Sequence, residues 1–96
     1  MIKHIVVFQF EGLDAAKEAE MTAAFHAMFD QIPELRSLSF GPNLSPRDKT
    51  FTHALVEEFD DMDALARYVA HPVHDKLVQD FVAPYAKTRH IVDYEL

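Results

Sequence analysis

The chain has 96 residues, of which 49% are hydrophobic and 26% charged, and this predicts one folded domain over residues 1–96 rather than a disordered segment. Nine scattered Lys and Arg residues against 16 Asp and Glu residues give a net charge of −7, which argues against nucleic acid and anionic membranes as partners. No cysteine is available for disulfides or thiolate chemistry, and no signal-peptide pattern or membrane-length apolar run is present, so we expect a cytoplasmic location.

The first half of the chain predicts a strand, a long helix and a second strand. Residues 2–10 are mostly β-branched or aromatic, which favours a strand. Asp14 is a suitable N-cap for a helix that ends near Pro33. Apolar side chains at spacings of three and four predict one buried stripe on this helix: Met21, Phe25, Met28, Phe29 and Ile32. Residues 35–40 alternate between apolar and polar, as in a strand, and residues 43–50 are typical of a loop.

The second half predicts a strand, a broken helix and a final strand. Residues 51–59 form the third strand, and Asp60 and Asp61 favour the start of a helix. Pro72 divides the helical region, because the residue before a proline avoids the α conformation while proline favours the first turn of a new helix. Residues 88–96 form the fourth strand. The order βαββαβ predicts an α+β fold of the ferredoxin-like type, in which a four-stranded antiparallel sheet has its helices on one face.

Both faces of this predicted sheet are apolar. In the first strand Val6 and Phe8 point to one face, whereas Ile5 and Val7 point to the other, and the last strand has the same two-sided pattern. Helices cover only one face, so the other face of a single chain would expose an apolar patch to water. At about 25 cal/mol per Å² of buried apolar surface, the fold would lose several kcal/mol of hydrophobic stabilisation. We therefore expect a homodimer in which the sheets of two copies pack against each other.

Three polar side chains predict acid–base chemistry: Tyr68, His74 and Asp93. His74 lies about three residues into the helix that begins at Pro72, where the helix dipole disfavours a positive charge and keeps an imidazole neutral and basic. A carboxylate such as Asp93 on its other ring nitrogen would fix the tautomer, and the Tyr68 hydroxyl would face a developing enolate or oxyanion. Such a set would remove a proton next to a carbonyl. The alternatives are a core tyrosine, a capping histidine and a surface ion pair.

The remaining histidines have structural interpretations beside functional ones. His4 and His53 occupy apolar positions of strands, where buried histidines are commonly held by hydrogen bonds. His71 precedes Pro72 and is expected to bond backbone groups that the helix break leaves free. No two histidines have the i, i+4 spacing of a helical metal site, so the sequence predicts neither a metal site nor a cofactor.

Over essentially its whole length the chain resembles the stress-responsive A/B barrel (Dabb) family. The resemblance lies in residues 1–10, 35–46, 52–59, 68–78 and 91–96. Its most specific parts are the His-Pro-Val-His segment at 71–74, which follows a tyrosine, and the Val-Asp-Tyr segment at 92–94. The resemblance implies a ferredoxin-like fold whose two sheets join across a dimer into an α+β barrel.

The resemblance also implies a chemistry. One plant member of the family is a polyketide cyclase that closes a linear tetraketide product by an aldol-type reaction. Its tyrosine, histidine and aspartate fall on Tyr68, His74 and Asp93, and its pocket histidines fall on His4 and His53. The predicted substrate-binding set is His4, His53, His71, Phe25, Met28 and Phe29, in which the first-helix residues favour an apolar or aromatic ligand.

Three hypotheses remain at this point. The first is a homodimer that binds a small molecule and performs cyclase-like or lyase-like acid–base chemistry. The second is a stress-responsive or ligand-carrying protein that binds the same molecule without turnover. The third is a relative of the heme-handling or antibiotic-type monooxygenases, which share the dimeric barrel architecture.

Overall fold

The computed structural model describes all 96 residues, and its element order is the predicted βαββαβ. The strands are β1 (Ile2–Phe10), β2 (Ser37–Pro42), β3 (His53–Phe59) and β4 (Ala86–Glu95). The helices are α1 (Ala15–Gln31), α2 (Met62–Ala70) and α3 (Pro72–Leu77), and a π-helical turn over Val78–Val82 continues α3. The predicted break of the second helical region at Pro72 is confirmed. β4 begins two residues earlier than predicted, because its pairing with β1 extends through an irregularity to Phe10 and Ala86.

The four strands form one antiparallel sheet in the order β2-β3-β1-β4, which is the ferredoxin-like arrangement predicted from the sequence. The central strand β1 pairs with β3 on one side and with β4 on the other. In this register His4 lies directly opposite Glu57 of β3 and directly opposite Asp93 of β4. Three polar residues are thus aligned in one row across the sheet.

Each helix begins at a side-chain cap. The Asp14 carboxylate accepts a hydrogen bond from the backbone N–H of Lys17 at 2.7 Å, as the sequence predicts. Asp61 accepts from the N–H of Ala64 at 2.8 Å and so begins α2. These caps satisfy N–H groups that have no partner inside the helix, which explains the positions of both helix starts. No helix combines the length and hydrophobicity that spanning a bilayer requires.

The core lies between the helices and the alternating residues of β1 and β3. From α1 it receives Met21, Phe25, Met28 and the adjoining Ile32. Phe29, predicted to belong to the same stripe, is instead 43% exposed. At 3.6 residues per turn Phe29 lies about 100° around the helix from Met28, which places it outside the narrow buried strip.

Candidate functional site: a cavity between the helices and the central strand

A cavity of about 120 Å³ lies between the helices and the sheet. Ten of its 13 lining residues are hydrophobic, and Phe25 from α1, Leu55 from β3 and Leu77 from α3 are among them. The other three are His4, His74 and Arg89, and Tyr68, one of the ten, adds a hydroxyl group. An apolar cavity of roughly 150 Å³ holds a benzene molecule, so this space suits a ligand of about that size, extended toward the half-exposed Val69 and Ile91 at its rim.

His74 is the third residue of α3, and its ring lies against the ring of Tyr68 at a centroid distance of 4.5 Å. Its Nδ1 is 3.1 Å from the carbonyl oxygen of Val69, the carbonyl that the helix break leaves free. Because a carbonyl only accepts hydrogen bonds, Nδ1 carries the proton in the neutral ring, and Nε2 has the free electron pair. Nε2 makes no hydrogen bond within the protein. His74 therefore carries a basic nitrogen without a protein partner, on a side chain that lines the cavity.

The environment of His74 keeps this nitrogen unprotonated at neutral pH. Burial lowers the pKa of His74 below the usual 6.5, and the nearby Arg89 and His4 lower it further. The hydrogen bond to the Val69 carbonyl opposes this effect without reversing it. The sequence prediction of a neutral imidazole agrees with this direction, but the main physical cause is burial rather than the helix dipole.

Tyr68 lies on the buried face of α2, with 1% of its surface exposed. Its hydroxyl donates a hydrogen bond to Oε2 of Glu57 at 2.9 Å. Burial, together with the nearby Glu57, raises the pKa of Tyr68 above its ordinary value, so the phenol stays protonated. The sequence prediction had this hydroxyl donating to a substrate oxyanion, whereas the structure directs its hydrogen to Glu57.

Glu57 is the residue of this site that sequence reasoning missed. It is fully buried, and desolvation raises its pKa to about 8 although the hydrogen bond from Tyr68 acts in the opposite direction. Its Oε1 has no hydrogen-bond partner and lies 3.9 Å from Nε2 of His4. The signal was present in β3, where His53, Leu55, Glu57 and Phe59 alternate toward the helices, so a glutamate at that position had to be buried.

Asp93 contacts His4 rather than His74. One oxygen of its carboxylate accepts a hydrogen bond from Nδ1 of His4, its direct neighbour across the strands. The sequence prediction paired Asp93 with His74, but the Val69 carbonyl takes that place. The structure thus joins Asp93, His4, Glu57 and Tyr68 in one row that runs from the edge strand to the cavity wall.

Only some of the other predicted substrate-binding residues line the cavity. Phe25 lines the cavity, whereas Met28 is buried elsewhere in the core and Phe29 lies at the surface.

His71 does not line the cavity, because its Nδ1 accepts a hydrogen bond from the N–H of Val73 and caps α3. His53 is also outside it. Its Nε2 contacts Oε2 of Glu18 at 2.6 Å, and its ring stacks on Phe40.

Comparison with known proteins identifies the family. The sequence model of the stress responsive A/B barrel domain (Dabb) matches residues 2–96. The chain belongs to this family. An uncharacterized Streptomyces coelicolor protein is 36% identical over 77 residues, which are 77% of this chain and 79% of that protein. The Dabb domain accounts for the whole fold described above, and its matched range includes every residue of the cavity wall.

Solved structures show the same Dabb fold. A dimeric protein of unknown function with a ferredoxin-like fold from Bacteroides fragilis superposes with a TM-score of 0.84 at 29% identity, covering 99% of this chain and 95% of that one. A hydroxynitrile lyase from Passiflora edulis superposes with a TM-score of 0.88 at 20% identity, covering 99% and 92%. The second likeness is one of fold alone.

Proposed function

We propose that the cavity is the active site of an acid–base enzyme, in which a stabilised carbanion is released from, or added to, the carbonyl carbon of a small and mostly apolar molecule. The observation that carries this proposal is Nε2 of His74, a neutral imidazole nitrogen with no protein partner at the wall of an apolar cavity. A nitrogen in that setting can accept a proton from a bound substrate, and a general base of this kind accelerates a reaction about 10²- to 10⁴-fold.

In the direction of cleavage, Nε2 of His74 takes the proton of a hydroxyl group on the substrate. The electron pair of that O–H bond forms the carbonyl double bond, and the pair of the adjacent C–C bond leaves with the carbanion. The imidazolium then returns its proton to the carbanion, which restores the neutral ring. Addition is the same sequence in reverse, so one base serves both lyase-like and aldol-type reactions.

The size of the cavity favours a small substrate over a long polyketide chain. About 120 Å³ is somewhat less than the roughly 150 Å³ that holds benzene, so the cavity takes at most one small ring, and the rim at Val69 and Ile91 allows an extension. The hydroxynitrile lyase that shares this fold supports the choice of hydroxynitriles as test compounds, since they are small and carry the required hydroxyl. Binding without turnover is the alternative that the experiment must separate from this proposal.

The test is cyanide release from mandelonitrile and acetone cyanohydrin, corrected for the rate in buffer. We expect His74→Ala to reduce turnover at least about 100-fold, because the site loses its base. His26→Ala is the matched control, since His26 lies on the outer face of α1 and should leave turnover unchanged. Equal turnover in His74→Ala and wild type would contradict the assignment, and ligand binding without any release would favour the non-catalytic alternative.

The pH dependence of turnover follows from the state of His74. Only the neutral ring accepts a proton, and burial lowers its pKa below 6.5. We therefore expect turnover to be constant across neutral pH and to fall only as pH drops below about 6.5 through the pKa of His74. A profile of kcat/KM between pH 4.5 and 8 measures this. An acid limb centred above pH 7 would contradict the assignment of His74 as the base.

We also propose that the protein works as a homodimer formed by the sheet surface opposite the helices, called the open face. The apolar side chains of this surface are Ile5, Val7, Ala54, Val56, Val92 and Tyr94, and Lys3, Glu58 and His90 lie on the same face. Ile5 lies directly opposite both Val56 and Val92, so an apolar row crosses three adjacent strands. Val92 is 59% exposed and Tyr94 is 45% exposed in the single chain. The related Bacteroides protein is described as dimeric, which supports a second copy as the cover of this surface.

A further inference from the structure

The direction of the Tyr68 hydroxyl decides which ligands fit the cavity. A phenol hydroxyl has one hydrogen to donate and two electron pairs to accept with. In this structure the hydrogen is used on Glu57, behind the cavity wall, so only the electron pairs of the oxygen remain for a ligand. Tyr68 then behaves as a hydrogen-bond acceptor, which is the opposite of an oxyanion donor.

We propose that Glu57 is a positioning residue that makes Tyr68 an acceptor, so that the cavity selects ligands carrying a hydroxyl group over ligands carrying only a carbonyl group. This inference rests on the proposed function, because it names the ligand class of the same cavity. His74 supports it independently. Its Nε2 is also an acceptor, so the two rings that lie 4.5 Å apart at the cavity wall both lack a free hydrogen for a carbonyl oxygen. A free donor of the wall is the guanidinium of Arg89, an exposed residue on β4.

The row of polar residues behind the cavity runs from Tyr68 through Glu57 and His4 to Asp93. The carboxylate of Asp93 only accepts, so Nδ1 of His4 carries a proton and Nε2 of His4 has the free electron pair in the neutral ring. Nε2 of His4 lies 3.9 Å from Oε1 of Glu57, which is beyond hydrogen-bond distance, and Oε1 has no other partner. Oε2 is the oxygen that accepts the hydrogen bond from Tyr68.

The burial of Glu57 agrees with this arrangement. A pKa of about 8 leaves the group mostly a neutral acid at pH 7, with one hydrogen to place and one oxygen to accept. The charged or titratable groups around it are His4 from β1, Tyr68 from α2 and, beyond His4, Asp93 from β4. A carboxylate would also accept from Tyr68, so the hydroxyl points away from the cavity in both states of Glu57.

Ligand selection of this kind suits the proposed reaction. A substrate hydroxyl donates to an acceptor in the cavity, whereas the carbonyl product of cleavage has no hydrogen to donate to Tyr68 or to His74. A buried polar group left without its partner costs about 1–3 kcal/mol, which corresponds to a factor of roughly 5 to 140 in affinity. The site is therefore expected to hold the alcohol form and to release the carbonyl form.

Benzyl alcohol and benzaldehyde test this inference, because they are nearly equal in size and differ in the presence of a donor. Affinities measured by NMR titration at pH 7 are expected to favour benzyl alcohol about tenfold in the wild type. Glu57→Gln should keep this preference, because the amide places an oxygen for Tyr68 and an N–H for His4. Glu57→Leu should abolish it, because the Tyr68 hydroxyl is then free to donate into the cavity.

Each outcome decides a separate claim. Equal or tighter binding of benzaldehyde by the wild type overturns the inference, and so does a preference that survives in Glu57→Leu or disappears in Glu57→Gln. The rescue by glutamine separates a positioning role from a merely structural one. Binding of neither compound by the wild type overturns the proposed function itself, since the cavity then holds no small aromatic ligand.

Discussion

In Glu57→Gln we expect the free energy of unfolding to stay free of a pH-dependent decrease that the wild type shows. In the wild type this free energy should fall by on the order of 5 kcal/mol as pH rises from about 4.5 to about 8. In the folded chain burial raises the pKa of Glu57 from 4.5 to about 8, so the folded state binds the proton more tightly than the unfolded state. The contribution of Glu57 to the free energy of unfolding is then fully present below pH 4.5 and is lost as pH rises through 8. Glutamine does not titrate, so its contribution stays constant.

Chemical denaturation at intervals from pH 5 to pH 9 measures this difference. Subtracting the two proteins removes the contributions of other groups, such as His74, whose lowered pKa acts in the opposite direction in both. Glu20→Gln is the control, because that side chain is 58% exposed on α1 and should change the profile little. Parallel profiles of wild type and Glu57→Gln would show that Glu57 ionises in the folded chain as it does in the unfolded one.

The fold was predictable because its signals are local. Asp14 and Asp61 cap the helices at the predicted starts, and Pro72 divides the second helical region as expected. The alternation of β1 correctly placed His4 and Val6 on the same covered face. Phe29 was wrongly predicted to be buried, because spacings of three and four allow a wider apolar stripe than the packed helix buries.

The sequence predicted which residues form the site better than it predicted which hydrogen bonds they make. Tyr68 and His74 meet because the helix break lies between them, which is a local property. The partner of Asp93 depends on the register of β4 against β1, and nothing in the last strand alone specifies that register. Glu57 escaped notice because a glutamate followed by a second glutamate resembles an ordinary solvated pair, although the strand period directs only Glu58 away from the helices.

In Val56→Glu we expect the proposed homodimer to dissociate, with a dissociation constant raised on the order of 10³-fold or more. Val56 lies in the middle of the open face, directly opposite Ile5, and it is only partly buried in the single chain. A two-fold axis places the new carboxylate in the interface twice. Each unpaired charge that leaves water costs several kcal/mol, whereas in a separate chain the same side chain stays hydrated.

Sedimentation velocity at micromolar concentration measures this effect, and circular dichroism verifies that the variant is folded. Ala23→Glu adds the same charge on the exposed face of α1 and should leave the dimer intact, which separates an effect of position from an effect of net charge. A Val56→Glu protein as dimeric as the wild type would show that another surface forms the contact. A wild type that sediments as a single chain would leave the apolar row of Ile5, Val56 and Val92 in water, contrary to the proposal.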